Sequence, residues 1–144
     1  MVNNHRIMDL TITIKEGVGN IKYGMNPDEV IGLWGAAGEK ELIEGATEEK
    51  TTVLRYLQDG VSLYFEGANP TLTCIELSNE DSTLWGEQLF LLDEEELIQL
   101  MKNHNYATPE TEIEVWGEKR ISYPEGNIDF FFEEGEMTSI ALGL

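Results

Sequence analysis

The sequence predicts an α+β fold in which two units, each a helix followed by an antiparallel meander, form one continuous sheet with the helices on one face. Three observations carry that prediction. First, two helix starts, "MNPDEVIGLWG" at 25–35 and "LLDEEELIQLM" at 91–101, place their caps Asn26 and Asp93 67 residues apart. Second, "GVSLYFEG" at 60–67 is answered at the same separation by "NIDFFFEEG" at 127–135, so Val61, Leu63 and Phe65 alternate as Ile128, Phe130 and Phe132 do. Third, "LTCIEL" at 72–77 is answered by "MTSIAL" at 137–142, with a tighter hairpin turn accounting for a separation of 65. A recurrence of this kind means one supersecondary unit built twice. Helix then strands, repeated, is an α+β plan with helices packed on a sheet.

In chain order, "DLTITIK" at 9–15 alternates and predicts a leading strand, and "GVGN" at 17–20 reads as the turn after it. Asn26 is an N-cap, Pro27 fits the first helical position, and Asp28 and Glu29 complement the positive end of the helix dipole. Glu29 closes a capping box with Asn26, and Met25 and Val30 form a hydrophobic staple. Val30, Ile31, Leu33 and Trp34 form the core stripe and Gly35 the stop, so Trp34 is a core residue. The acidic segment 36–50 reads as an exposed loop or a frayed short helix. Strands follow at 51–57, 61–66 and 71–77, and 78–89 connects the halves. Asp93 and Glu96 cap the second helix, Leu92 and Leu97 staple it, and Leu97, Ile98, Leu100 and Met101 are its stripe. Strands are predicted at 112–116, 119–123, 128–133 and 137–142. The whole is one domain over 1–144, with a first repeat at about 19–77 and a second at about 90–142.

The stretch "GNIKYGMNPDEVIGLWGAAGE" resembles the opening of SmpA/OmlA-type and beta-lactamase-inhibitor-like (BLIP-like) domains: a Gly-Met turn, a polar cap, an acidic turn and a short helix, then a meander like "GVSLYFEG" and "LTCIEL". The resemblance covers most of 19–77 and, more weakly, 90–142, and implies the tandem BLIP-like architecture. "WGAAGE" lacks the proline usual after that helix. No lipobox cysteine is present, so the likeness does not imply an envelope lipoprotein, and no inhibitory loop residue carries over. The acidic composition and the opening are also similar in style to small bacterial toxin-immunity proteins.

A chain of 144 residues buries roughly 68–70% of its unfolded surface and needs no disulfide or metal to hold its core. Nine Lys and Arg face 28 Asp and Glu, a net charge of −19. Such a chain repels nucleic acids and anionic membranes and attracts a basic partner, and the same charge serves solubility. No apolar run approaches the ~20 residues of a membrane span. "MVNNHRIMDL" has no basic region leading into an apolar one, so no signal peptide is read, and the single Cys74 fits a reducing, cytoplasmic setting.

Catalytic signatures are missing from the sequence. His5 and His104 are the two histidines, and His104 in "KNHNY" suits a helix C-terminus. A Cys74–His104 dyad is set against a strand cysteine packed beside Ile75. There is no Gly-x-Ser-x-Gly and no phosphate loop, and "DEEE" at 93–96 and "EEGE" at 133–136 lack calcium-loop spacing. No catalytic, cofactor or metal residue is therefore assigned, and a non-enzyme is expected. If Val61, Leu63 and Phe65 face the helices, the opposite face carries Tyr64, Glu66, Asp129, Phe131 and Glu133. Glu114 and Trp116 join them if Ile113 and Val115 point inward, as do Arg120 and Ser122 if Ile121 and Tyr123 do. Aromatic residues ringed by polar ones are interface anchors. The expected function is a monomeric or homodimeric acidic protein-binding domain, in its sharpest form an immunity or inhibitor protein for a basic toxin or enzyme. The alternatives are a self-associating structural protein and a small-molecule binder using carboxylates in a cleft.

Overall fold

Alternation decides the central strands. In "VSLYFE" one pleat buries Val61, Leu63 and Phe65, and in "IDFFFE" one pleat buries Ile128, Phe130 and Phe132. The computed structural model describes residues 8–44 and 50–144. His5 and positions 45–49 of the acidic segment lie outside the described residues. In chain order the elements are β1 (Thr11–Thr13), β2 (Gly17–Val18), β3 (Ile21–Lys22), α1 (Pro27–Trp34), β4 (Glu39–Glu44), β5 (Lys50–Tyr56), β6 (Val61–Glu66) and β7 (Thr71–Leu77). Then come β8 (Thr83–Leu84), β9 (Glu87–Gln88), α2 (Glu94–Asn103), β10 (Glu110–Ile113), β11 (Lys119–Tyr123), β12 (Ile128–Glu133) and β13 (Glu136–Gly143). The fold is α+β, with two helices and two sheets of mostly antiparallel strands.

The larger sheet has the order β10-β11-β12-β13-β7-β6-β5-β4. Its two meanders meet where β13 runs antiparallel to β7, with Ile140 opposite Leu77 and Leu142 opposite Ile75. All four residues are buried. Both helices feed the core on one side of this sheet: Val30 and Trp34 from α1, and Leu97 and Met101 from α2, join Leu63, Phe65, Phe130 and Phe132 in one cluster. Each such apolar side chain contributes about 1.5–3 kcal/mol by leaving water.

Both helices start as their sequences dictate. Asn26 Oδ1 accepts from the Glu29 N–H at 2.8 Å while Glu29 accepts from the Asn26 N–H at 3.2 Å, and Asp93 with Glu96 repeats the arrangement at 2.8 and 3.1 Å. The end of α1 is bolted to the sheet. Trp34 Nε1 donates to Asn20 Oδ1 at 3.1 Å and its ring meets Tyr56 edge-on at 5.5 Å. The Tyr56 hydroxyl in turn donates to the Gly35 carbonyl at 2.8 Å. Trp34 is thus a core residue, as its stripe position required.

Several expectations are corrected. The two meanders do share one sheet, but the leading strand and the connector are not part of it: β3-β2-β1-β8-β9 form a second, five-stranded sheet, in which β1 runs parallel to β8. The connector 78–89 therefore supplies two strands. It leaves the large sheet by hydrogen bonds from Asn79 Nδ2 to the Asp59 carbonyl (2.8 Å) and from the Thr83 N–H to the Leu10 carbonyl (3.1 Å). The leading strand stops at Thr13 because Lys15 takes a left-handed φ of 64°, and "GVGN" forms a strand and the turn of the β2–β3 hairpin. Segment 36–50 is neither loop nor helix at 39–44 but the edge strand β4, paired with β5 from Glu39 opposite Arg55 to Glu44 opposite Lys50. An edge strand tolerates charge on both faces, so "EKELIE" shows no alternation.

Register makes a direct prediction. Phe130 is buried and its neighbour Phe131 faces the opposite side of the sheet, partly exposed. Phe130→Ala is expected to cost about 3–5 kcal/mol in denaturant unfolding, and Phe131→Ala about 1 kcal/mol or less. The reverse order would mean that the faces are exchanged.

Candidate binding face

The face of the large sheet turned away from the helices is built by the strand pairing. One row across it reads Ser62, Glu76, Ala141, Asp129, Ser122. Tyr64 stands on one side of that row, opposite Cys74 and Val53, and Phe131 on the other, opposite Ser139 and Arg120. Both aromatics precede a register shift, between Tyr64 and Phe65 in the β6–β7 ladder and between Phe131 and Phe132 in the β12–β13 ladder. Bulges sharpen the local twist and re-aim the side chains beside them.

Charge on this face is ordered. Arg55 of β5 reaches outward to Glu41 of β4 at 2.5 Å, with Glu39 at 4.0 Å. At the other end Arg120 of β11 reaches outward to Glu112 of β10. The two arginines are therefore engaged by edge carboxylates, while the central strands present Glu66, Glu76, Asp129 and Glu133. The hydrogen bond to Glu41 raises the Arg55 pKa. Burial, followed by the charge of Glu76 and a hydrogen bond with it, raises the Tyr64 pKa, so the phenol stays protonated beside its acidic neighbour. Acidity is also uneven along the chain: residues 78–144 hold 16 acidic and three basic residues, against 12 and six in the preceding part.

Of the residues expected to bind a partner, Tyr64, Glu66, Asp129, Phe131 and Glu133 share this face. Arg120 and Ser122 are there too, as Ile121 and Tyr123 are buried on the other side. Trp116 is not on it. The predicted strand 112–116 is instead Glu110–Ile113, and Glu114 to Glu118 form the hairpin turn, with Gly117 at φ 93°. Ile113 and Val115, expected inward, are exposed. Sequence reasoning missed the Arg55–Glu41 pair because the edge strand β4 was not recognised, and the Arg120–Glu112 pair because the pairing register of β10 with β11 was not assigned.

His104 caps the end of α2 and stacks flat on Trp85, ring centroids 3.8 Å apart, while Cys74 lies on the outer sheet face. The dyad has no geometric support among the described contacts. Among the described residues no group of three or more His, Cys, Asp or Glu is placed to hold a metal ion. A hollow of about 420 Å³ beside α2 is lined by Glu80, Asp93, Glu96 and Glu136 together with Phe90 and Met137. Asp93 and Glu96 are already engaged in capping α2. No described helix is long and apolar enough to cross a membrane. Compared with protein-family models, curated proteins and solved structures, the chain matches none.

Cys74 offers a pH test. Burial, then the charges of Glu76 and Glu66, push its thiol up to about 11 from an ordinary 9.0. A thiol raised in the folded state stabilises fully below its unfolded pKa and loses that contribution as pH climbs through the folded value. Stability is thus expected to fall between about pH 9 and about pH 11, less so in Cys74→Ala. Alkylation of the native protein by iodoacetamide at pH 8 should be about a hundredfold slower than after unfolding. Equal rates would refute the burial of the thiol.

Proposed function

We propose that the protein is a non-catalytic, acidic protein-binding domain whose outer sheet face takes a basic protein partner. Its sharpest form is an immunity or inhibitor protein acting in the cytoplasm on a basic toxin or enzyme. The observation that carries this is the face itself: two half-buried aromatics, Tyr64 and Phe131, set among Glu66, Glu76, Asp129 and Glu133, with both arginines turned aside to edge glutamates. Aromatic anchors bounded by charge of one sign are how an interface obtains both affinity and rapid, salt-sensitive association.

The same proposal takes the chain as two copies of one helix-and-meander unit, in a BLIP-like tandem. Support comes from capping boxes at Asn26 and Asp93, matching burial along β6 and β12, and ladder shifts after Tyr64 and Phe131, all 67 residues apart. In this reading Arg55 with Glu41 and Arg120 with Glu112 are counterparts at the two ends of one binding surface.

The test is affinity capture from the source cell at low salt, with the wild type beside a Tyr64→Ala/Phe131→Ala double variant of unchanged fold. A basic protein retained by the wild type, released by salt and bound at least about tenfold more weakly by the double variant is the expected result. Retention of the same protein by both, or of acidic proteins alone, would sink the proposal. A salt-insensitive dimer in sedimentation, disrupted by the same double variant, would assign the face to self-association instead.

A further inference from the structure

The β10–β11 hairpin is the most exposed apolar feature among the described residues. Ile113, Val115 and Trp116 are 73%, 99% and 67% exposed. They interleave with Glu110, Glu112, Glu114 and Glu118, and none of the three belongs to the core cluster. Burial in the fold therefore does not account for a tryptophan at this position.

The backbone beside it is open as well. β10 is the last strand of the large sheet, with β11 as its partner there. The Glu114 N–H donates to the Glu118 carbonyl at 2.7 Å, which makes 114 and 118 a hydrogen-bonded pair. Such pairs alternate along an antiparallel ladder. Glu112 with Arg120, and Glu110 with Ser122, are then the next two, and Thr111 and Ile113 direct their N–H and C=O groups away from β11.

Charge selects what can use that edge. A second copy of β10 would bring glutamate against glutamate, which is unfavourable directly across a ladder. Arg120 holds Glu112 of β10, but among the described residues Glu110 and Glu114 make no ion pair, whereas the opposite edge, β4, carries Lys40 and has both Glu39 and Glu41 gathered around Arg55.

We infer that the β10 edge accepts an extended, arginine-rich segment of a protein partner as an added strand, with Trp116 closing over it. Alternate arginines lie beside Glu110 and Glu112, the intervening residues lie beside Ile113 on the helix side, and the indole offers its face to a guanidinium. The inference rests on the reading above that the partner is basic, and adds the mode of recognition.

The probe is a short synthetic peptide, Arg-Thr-Arg-Val-Arg-Thr-Arg, beside the same peptide with proline in place of valine. The control has equal charge and cannot complete a ladder. Backbone amide exchange is followed by NMR on the full chain at low salt, with Trp fluorescence alongside. The expected result is protection of the Thr111 and Ile113 amides and a change in Trp116 emission with the first peptide, and about tenfold weaker binding by the control. Ile113→Pro and Thr111→Pro, each removing one outward N–H, should weaken the first peptide similarly. If both peptides bind equally and perturb Tyr64 and Phe131 while β10 exchanges freely, strand addition is overturned and the acidic face still stands. If neither peptide binds, both readings fall.

Discussion

The pairing of β7 with β13 is the constraint on which the rest of the molecule depends. Each meander by itself is a four-stranded sheet with one open apolar edge. Joined through Cys74 to Leu77 on one side and Ile140 to Gly143 on the other, they become eight strands over one core. The seam is also tight. A Cβ on Gly143 would come within 2.6 Å of the Asn127 amide nitrogen, and that amide donates to the Leu144 carbonyl at 2.9 Å. Side chains on the buried side of the seam draw both helices into one cluster, and those on the other side set the spacing of Tyr64 and Phe131. The candidate face thus exists because the core exists.

Much of this was legible in the sequence, for reasons that can be named. The capping boxes are local chemistry, so Asn26–Glu29 and Asp93–Glu96 announce themselves within four residues. Strands β6 and β12 are buried on one side only, so their period of two is clean and places Tyr64, Glu66, Asp129, Phe131 and Glu133 together. What was hidden depends on non-local contacts. β4 carries "EKELIE", and an edge strand exposed on both faces, as residues 39–43 are, has no reason to alternate. The small sheet is made of strands of two or three residues, too short for any periodicity to register. Trp116 was misplaced because "EIEVW" alternates well past Ile113, where the chain already turns. Alternation there marks an exposed hairpin rather than a half-buried strand.

The electrostatics show a division of labour. Lys119 sits 2.9 Å from Glu94 at the start of α2, and Arg55 and Arg120 are held at the sheet edges, so these cations are used inside the structure. Exposed ion pairs of this kind add little stability, with a median of about 0–1 kcal/mol. Their larger effect is on the shape of the field: cations withdrawn to the rim leave the acids of the centre uncompensated. A surface of one sign, rather than a list of ion pairs, is what a diffusing partner meets first.

The seam also bears on the order of events during synthesis. Strands β6 and β7 are both synthesised well before β13, since residues paired at the seam such as Ile75 and Leu142 lie 67 positions apart. Until β13 arrives, a nascent first half presents Ile75 and Leu77 along an unpaired strand edge, the kind of surface that templates aggregation. Local hairpins form quickly and contacts of long sequence separation slowly. The closing of the large sheet is accordingly the late step of folding, and a ribosome pausing before β13 would leave the chain at its most vulnerable.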